Sequence, residues 1–170
     1  NVQINLAEFM GKEHIFDLIS QDKISFKKYL NFEKYVTYVT IFDPLAQKKI
    51  LGSSKEDSVR VFINGYKDIS IAEFLKYAKL TKPDVLVSFS EVPEITDSGA
   101  KRNKRAAAKN SYFLQETLKA FKDTNTMVLA PINASKFEDI LETTIEGLKA
   151  HDPQGYVIQG LYLGESAEER

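Results

Sequence analysis

Three apolar runs without polar alternation most restrict the folds open to this chain. They read DVLVSF at 84–89, TMVLAPI at 126–132 and YVIQGLYL at 156–163. Strands that are apolar on both faces are typical of parallel sheets covered by helices. Segments with apolar residues at helical spacing separate the runs, so the order is strand, helix, strand, helix, strand. This order of βαβ units predicts an α/β fold.

Serine followed three residues later by glutamate marks the expected helix starts. The three capping boxes are Ser70 with Glu73, Ser135 with Glu138, and Ser166 with Glu169. Before the first, VRVFINGYKDIS (59–70) places Asn64-Gly65 between two extended runs, which predicts a tight β-hairpin. A further strand is predicted within YVTYVTIFDP (35–44), which is rich in β-branched and aromatic residues.

The chain is expected to form a single incomplete domain over residues 1–170. Residues 1–34 have an irregular pattern, which we interpret as one short helix and loops, and residues 35–170 hold the β/α units. A (β/α) barrel or an open doubly wound sheet could contain them, and no glycine-rich nucleotide-binding turn follows a strand. The last capping box stands at the end of the sequence, whereas a complete barrel takes roughly 200–250 residues. We therefore expect a truncated, TIM-like partial barrel.

Charge and composition exclude several classes of function. A formal net charge of -1 gives no overall reason to bind nucleic acid or an anionic membrane, so any basic surface must be local. The chain has no cysteine, and its two histidines, His14 and His151, lie far apart in sequence, so no metal site is predicted. No apolar run approaches the roughly 20 residues of a membrane span. A cytoplasmic protein is expected.

Small and polar residues follow each of the three apolar strands. They are Ser90 and Glu91, Asn133 and Ala134, and Gln159 and Gly160. Because parallel strands present their carboxyl ends at one edge of a sheet, we expect these residues around one pocket. A single carboxylate without a partner is weak evidence of catalysis, so a structural or capping role is favoured for Glu91. Asn133 equally fits a turn.

A group of cations opens the predicted helix in SGAKRNKRAAAKNSYFLQETLKAF (98–121). The basic cluster is Lys101, Arg102, Lys104 and Arg105, with Lys109 one turn further along. The helix dipole disfavours cations at this end, so helix stability does not explain the cluster. It is either a solvated face or a surface that binds phosphate or contacts another subunit. Apolar residues further along are expected to face the core: Tyr112, Phe113, Leu118 and Phe121.

Three segments resemble one enzyme family. DVLVSFSEVP, MVLAPINAS and GYVIQGLYLGES, in this order, are similar to the middle of the tRNA-guanine transglycosylase family. These barrel enzymes exchange a guanine in the tRNA anticodon loop for queuine or a related base. GLYLGE (160–165) is similar to the family's G-L-A-V-G-E segment, and the resemblance covers about residues 58–170. It implies that Ser90, Glu91, Asn133 and Gly160 occupy base-pocket positions.

The pocket departs from the family pattern. Catalytic members read F-D-E-C at the first strand tip, where the aspartate grips the base, whereas this chain reads Phe89-Ser90-Glu91-Val92. TIFDP, SVRVF, KPDVLVSFSE and AKRNKRAAAKNSYFL are similar to the accessory, non-catalytic subunits of eukaryotic queuine tRNA-ribosyltransferases. The resemblance therefore implies a degenerate base pocket and no catalytic residue in this chain.

The same resemblance implies the partners and the location. They are tRNA and a catalytic queuine tRNA-ribosyltransferase subunit in a heterodimer, in the cytoplasm, with peripheral association with the mitochondrial outer membrane. This chain is expected to hold no cofactor, and the family's zinc ligands and nucleophilic aspartate are expected beyond the end of the sequence. Two alternatives stay open: a fragment of a catalytic transglycosylase with an unusual pocket, and an unrelated β/α barrel binding module.

Overall fold

The computed structural model describes residues 1–41, 51–53, 55–62, 65–93, 99–161 and 168. In chain order the elements are β1 (Val2–Asn5), α1 (Glu13–Gln21), α2 (Phe26–Tyr29), β2 (Thr37–Thr40), β3 (Leu51–Gly52), β4 (Ser58–Phe62), β5 (Tyr66–Ser70), α3 (Ile71–Thr81), β6 (Val85–Val87), α4 (Ala100–Phe121), β7 (Met127–Asn133), α5 (Glu138–Lys149) and β8 (Gly155–Gln159).

The main sheet has five parallel strands in the order β1-β2-β6-β7-β8. The order of the strands across this sheet is the same as their order along the chain, with no reversal. A doubly wound sheet reverses its strand order at a switch point, whereas the strands of a barrel follow one another around it. The α/β, partial-barrel prediction is therefore confirmed, and the three apolar runs supply β6, β7 and β8.

A second, antiparallel sheet of three strands has the order β3-β4-β5. Phe62 pairs with Tyr66 at the tip of the β4–β5 hairpin, as the hairpin prediction required. Asn64 of the predicted turn lies outside the described residues. The strand predicted within 35–44 is β2, and the last three residues of that range, 42–44, are not described either.

The amino-terminal segment is more regular than the sequence predicts. One short helix and loops are expected over residues 1–34, but this segment supplies two α-helices, a short 3-10 helix (Leu6–Glu8) and β1, which pairs with β2 at the edge of the main sheet. The sequence does not reveal β1 because a four-residue edge strand is too short to show a clear pattern. Phe16 of α1 stacks on Phe26 of α2 with ring centroids 5.7 Å apart, so both helices join the core.

The structure confirms one of the three predicted helix caps and contradicts another. Ser70 caps α3, because its Oγ accepts a hydrogen bond from the backbone N–H of Glu73 at 3.2 Å. The prediction for Ser135 is wrong, since α5 begins at Glu138 and its N-cap is Phe137. The Ser135 hydroxyl instead accepts from the N–H of Phe137 at 3.2 Å. Ser166 lies outside the described residues.

Three buried rings hold the end of β6 in place. Phe89 follows β6, and its ring lies 4.9 Å from both Phe74 of α3 and Phe113 of α4, measured between centroids. All three side chains are fully buried. Tyr112 is expected to face the core as well, but it is 43% exposed, because Phe113 takes the inward position. This packing fixes the chain immediately before Ser90.

Asp84 ties together the amino ends of two neighbouring strands. Its Oδ2 accepts hydrogen bonds from the Thr37 N–H at 2.7 Å and the Thr37 hydroxyl at 2.9 Å, and it forms an ion pair with Lys27. Partial burial alone raises the pKa of Asp84, but the hydrogen bonds from Lys27 and Thr37 and the charge of Lys27 outweigh it. The pKa of Asp84 is therefore lower than its usual value.

We expect Asp84→Asn to destabilise the fold in a pH-dependent way. The lowered pKa stabilises the fold above the unfolded-state value of about 3.9, and this stabilisation disappears as pH falls through the folded-state pKa. Because the Asp84 side chain is 44% exposed, solvent screening limits the loss of stability near neutral pH to about 1 kcal/mol. Urea unfolding should show the difference in stability between variant and unaltered protein shrinking in acid.

A control for this prediction is Asp123→Asn, at an exposed site. This change should leave the free energy of unfolding close to that of the unaltered protein at both neutral and acidic pH. If Asp84→Asn instead costs the same stability at every pH, the carboxylate charge of Asp84 is not what joins the strands.

Candidate functional site

The end of β6 meets the end of β8 through their side chains. Ser90, three residues beyond β6, donates a hydrogen bond from Oγ to Oε1 of Gln159 at 2.9 Å. Gln159 is the last residue of β8, and Ser90 is fully buried. The parallel sheet brings these residues together because both strands point the same way. The Ser90 hydroxyl is thus occupied within the protein.

The backbone of Glu91 is held by two asparagines. The Asn110 side chain of α4 accepts from the Glu91 N–H at 2.7 Å and donates to the Glu91 carbonyl at 2.9 Å. Asn133, at the end of β7, also donates to that carbonyl through Nδ2 at 2.8 Å. The tips of β6 and β7 are therefore joined to each other and to α4 by hydrogen bonds.

The carboxylate of Glu91 forms a buried ion pair. Lys109 Nζ lies 2.8 Å from Glu91 Oε2, and the two side chains are only 4% and 5% exposed. The same ammonium is 3.5 Å from the Ser53 carbonyl, next to β3, and 6.0 Å from the centre of the Phe113 ring. The pair therefore fastens the strand tip to α4 and to the antiparallel sheet. It also supplies the Glu91 carboxylate with its counter-charge.

Gly160 completes the rim of the site, and its position requires glycine. Its φ is +85°, and an added Cβ would lie 3.1 Å from Val92 Cγ1 and 3.5 Å from the backbone nitrogen of Ala134. That nitrogen donates to the Gln159 carbonyl at 2.8 Å. The structure thus brings together all four predicted pocket positions at the carboxyl end of the sheet: Ser90, Glu91, Asn133 and Gly160.

A cavity next to this site is too small for a base. It measures about 20 Å³ and is lined by residues that include Pro93, Asn110, Asn133 and Ala134. Protein ligand pockets have volumes of about 300–1,000 Å³, whereas a water molecule needs only about 10–15 Å³. Asn133 Oδ1 is buried without a hydrogen-bond partner among the described residues. The cavity therefore suits a water molecule that donates to this oxygen.

The chemistry available at these strand tips is limited. Ser90 is bonded to Gln159, and Glu91 is neutralised by Lys109. A general base needs a lone pair within reach of substrate, and a nucleophile needs a neighbouring base. Within the described ranges, no group of three or more His, Cys, Asp or Glu could hold a metal ion. The contacts made by these side chains stabilise the fold.

The basic cluster lies on the first two turns of α4, next to this end of the sheet. All four side chains are exposed, the N-cap Gly99 has no capping side chain, and the first turn has no acidic residue. Lys104 lines a groove that α4 forms with α5, where Asp139 lies on the opposite wall. Arg102 points to nearly the opposite side of the helix from Lys104, because two residues turn a helix by about 200°. The cluster is therefore spread around α4.

The sequence does not reveal the role of Asn110 or the burial of Lys109. It indicates Lys109 only as a further cation beside the basic cluster. The sequence does carry a signal for the burial of Lys109. Ala106, Lys109 and Phe113 are spaced three and four residues apart, which places them on one face of α4. The structure buries all three. The hydrogen bond from Ser90 to Gln159 has no such signal, since it depends on the register between strands.

No helix of the described chain combines the length and apolarity required to cross a membrane. The longest helix, α4, has 22 residues, but its first two turns carry the basic cluster.

Comparison with known proteins identifies relatives. The family model described as TGT: Queuine tRNA-ribosyltransferase matches residues 12–170. A protein named queuine tRNA-ribosyltransferase from Pediococcus pentosaceus is 34% identical over 88 residues. The aligned stretch covers 51% of this chain and 23% of that protein, so less than a quarter of the relative's length is represented.

Proposed function

This chain belongs to the queuine tRNA-ribosyltransferase family, and from that premise we propose that it is part of a non-catalytic subunit. The subunit pairs with a catalytic queuine tRNA-ribosyltransferase and supports the exchange of anticodon guanine for queuine in tRNA. Family membership argues against the alternative of an unrelated binding module. The proposal concerns the activity and partners of the whole protein, since the aligned stretch of this chain covers only 23% of the relative's length.

One observation carries the proposal: Ser90 is fully buried and bonded to Gln159. The family resemblance implies that catalytic members have an aspartate here, which binds the N–H donors of a purine-like base. A serine cannot offer two carboxylate oxygens, and each buried donor left unpaired costs about 1–3 kcal/mol. The Ser90 hydroxyl also donates its one proton to Gln159, so it cannot donate that proton to a base at the same time.

The Glu91–Lys109 pair supports the same proposal. The alternative of a catalytic fragment would be favoured by a carboxylate with free lone pairs at a strand tip. Glu91 instead has a cation at 2.8 Å, and its backbone is held by Asn110 and Asn133. Because both its side chain and its backbone are bonded within the fold, Glu91 suits a structural role.

Several further features are proposed from the family resemblance. The full-length protein acts in the cytoplasm, with peripheral association with the mitochondrial outer membrane. It holds a zinc ion through residues outside this chain. His14 and His151 are the two histidines here, and neither belongs to a metal-binding group among the described residues.

We assign tRNA binding to the basic cluster, and its replacement by alanine tests the assignment. In the full-length heterodimer, changing Lys101, Arg102, Lys104 and Arg105 to alanine should weaken tRNA binding. The slope of log affinity against log salt should flatten by about 0.7–0.9 for each phosphate that the variant no longer neutralises. Folding should not suffer, because alanine favours helices and the dipole disfavours cations at this end.

A matched control replaces Lys119 and Lys122 by alanine. Lys119 lies in the last turn of α4, and Lys122 is the residue that follows the helix. This change should leave both affinity and salt slope close to those of the unaltered heterodimer. If the cluster variant loses subunit pairing while its tRNA affinity and salt slope stay unchanged, the cluster contacts the partner protein. If none of these quantities changes, the cluster is only a solvated face and the tRNA assignment is wrong.

A further inference from the structure

The outer face of the β4–β5 hairpin carries two aromatic rings near its tip. Phe62 and Tyr66 are register partners on the two strands, and their ring centroids lie 5.3 Å apart with the ring planes at 80°. The two residues are 41% and 54% exposed. In such an edge-to-face arrangement each ring still presents a face that the other ring does not cover. These two residues are called the aromatic pair below.

Other contacts hold the hairpin that carries the aromatic pair. Val59, Val61 and Ile69 point to the inner face of the hairpin and are buried in the core. On the outer face, further from the tip, Arg60 donates to both carboxylate oxygens of Asp68 at 2.8 and 3.1 Å. The buried inner face and this double hydrogen bond fix both strands. The hairpin is therefore a rigid support for the two exposed rings.

The antiparallel sheet lies at the carboxyl end of the main sheet. The Ser53 carbonyl, next to β3, is 3.5 Å from Lys109 Nζ, and the same ammonium pairs with Glu91 beyond the end of β6. In β5, Lys67 Nζ lies 3.8 Å from the position of a Cβ added to Gly11, a few residues beyond the end of β1. The basic cluster opens α4 at this end as well. The aromatic pair therefore lies on the end of the protein that carries the strand tips and the basic cluster.

We propose that the aromatic pair stacks on an unpaired loop base of bound tRNA. Every base has a π-face, so an exposed ring binds single-stranded RNA without reading its sequence. Proteins recognise RNA mostly at loops, where unpaired bases stack on aromatic side chains. Lys67, next to Tyr66, and Lys12, next to Gly11, are exposed and supply positive charge for the phosphates of the same strand. The family to which this chain belongs is named for its action on tRNA, which supplies such loops.

This inference rests on the proposed function, because it assigns a second contact with the tRNA of the same complex. The two contacts differ in their physical character. Phosphates neutralised by the basic cluster make the affinity depend on salt, because binding releases counterions. Stacking on an uncharged ring releases no counterion, so it adds affinity without changing the salt slope. The slope of log affinity against log salt therefore separates the aromatic pair from the basic cluster.

Replacing both rings in the full-length heterodimer tests the stacking contact. Phe62→Ser combined with Tyr66→Ser should weaken tRNA binding by roughly 5- to 150-fold, the equivalent of about 1–3 kcal/mol for one stacked base, with an unchanged salt slope. Phe62→Tyr combined with Tyr66→Phe keeps both rings and should keep the affinity. The matched control is Tyr35→Ser, which removes a ring that is 51% exposed just before β2, at the amino end of the sheet. It should bind tRNA like the unaltered heterodimer.

Photochemical cross-linking detects the contact without any variant. tRNA with 5-bromouridine at its unpaired loop positions should cross-link to the peptide that contains Phe62 and Tyr66, in the heterodimer and in the full-length protein alone. No cross-link there, or unchanged affinity of the serine variant, would overturn the inference. Loss of subunit pairing with unchanged tRNA affinity would also overturn it, because the rings would then contact the partner protein. Failure of the proposed function is a separate result: base exchange by this protein alone would contradict that function and leave the cross-link unaffected.

Discussion

Lys109→Met should destabilise the full-length protein by about 3–5 kcal/mol, because it leaves a buried carboxylate without its counter-charge. The Glu91 side chain is 5% exposed, and its Oε2 lies 2.8 Å from Lys109 Nζ. Methionine keeps most of the length and apolar bulk of lysine, so a change in packing contributes little. Chemical denaturation followed by circular dichroism measures the effect.

Two further variants identify the cause. Glu91→Leu combined with Lys109→Met removes both charges at once, and most of the stability should return because no unpaired charge remains buried. Lys119→Met breaks the exposed pair with Glu116 on the same helix, where the two atoms are 2.9 Å apart. It should cost less than about 1 kcal/mol because solvent screens that pair. Equal destabilisation by Lys109→Met and Lys119→Met would contradict the role of the buried pair.

The position of the strand-tip residues could be predicted from the sequence. Ser90, Asn133 and Gly160 each follow an apolar run, and parallel strands must end at one edge. Their contacts could not be predicted, because a hydrogen bond from Ser90 to Gln159 requires the register and spacing of the strands. The rotation of α4 about its own axis could not be predicted from the sequence either. Tyr112 and Phe113 are neighbours that point about 100° apart, and only packing selects the buried ring.

Local motifs were reliable only where tertiary contacts agreed with them. Ser70 and Ser135 have the same capping pattern, yet only Ser70 caps its helix. The hydroxyl of Ser135 instead closes a two-residue turn with the Phe137 N–H and lies 3.4 Å from Asn103 Oδ1. β1 could not be predicted for a related reason. An edge strand of only four residues is defined by its pairing with β2 and not by a pattern of its own.

We propose that this protein does not exchange bases by itself. The pocket position Ser90 lacks a carboxylate and is closed by Gln159, and Glu91 is neutralised by Lys109. The family resemblance implies that the nucleophilic aspartate lies beyond this chain, and a covalent step requires such a nucleophile. A Ser90→Ala change should therefore leave the activity of the heterodimer unchanged, since no base depends on this hydroxyl.

The most direct measurement is incorporation of labelled guanine into tRNA by the purified full-length protein. We expect incorporation equal to a protein-free blank for this protein alone, and incorporation well above the blank once a catalytic subunit is added. The catalytic subunit assayed by itself shows how much of that activity the pairing supports. Incorporation above the blank by the full-length protein alone would contradict this proposal, because it would require a working base pocket and nucleophile in this subunit.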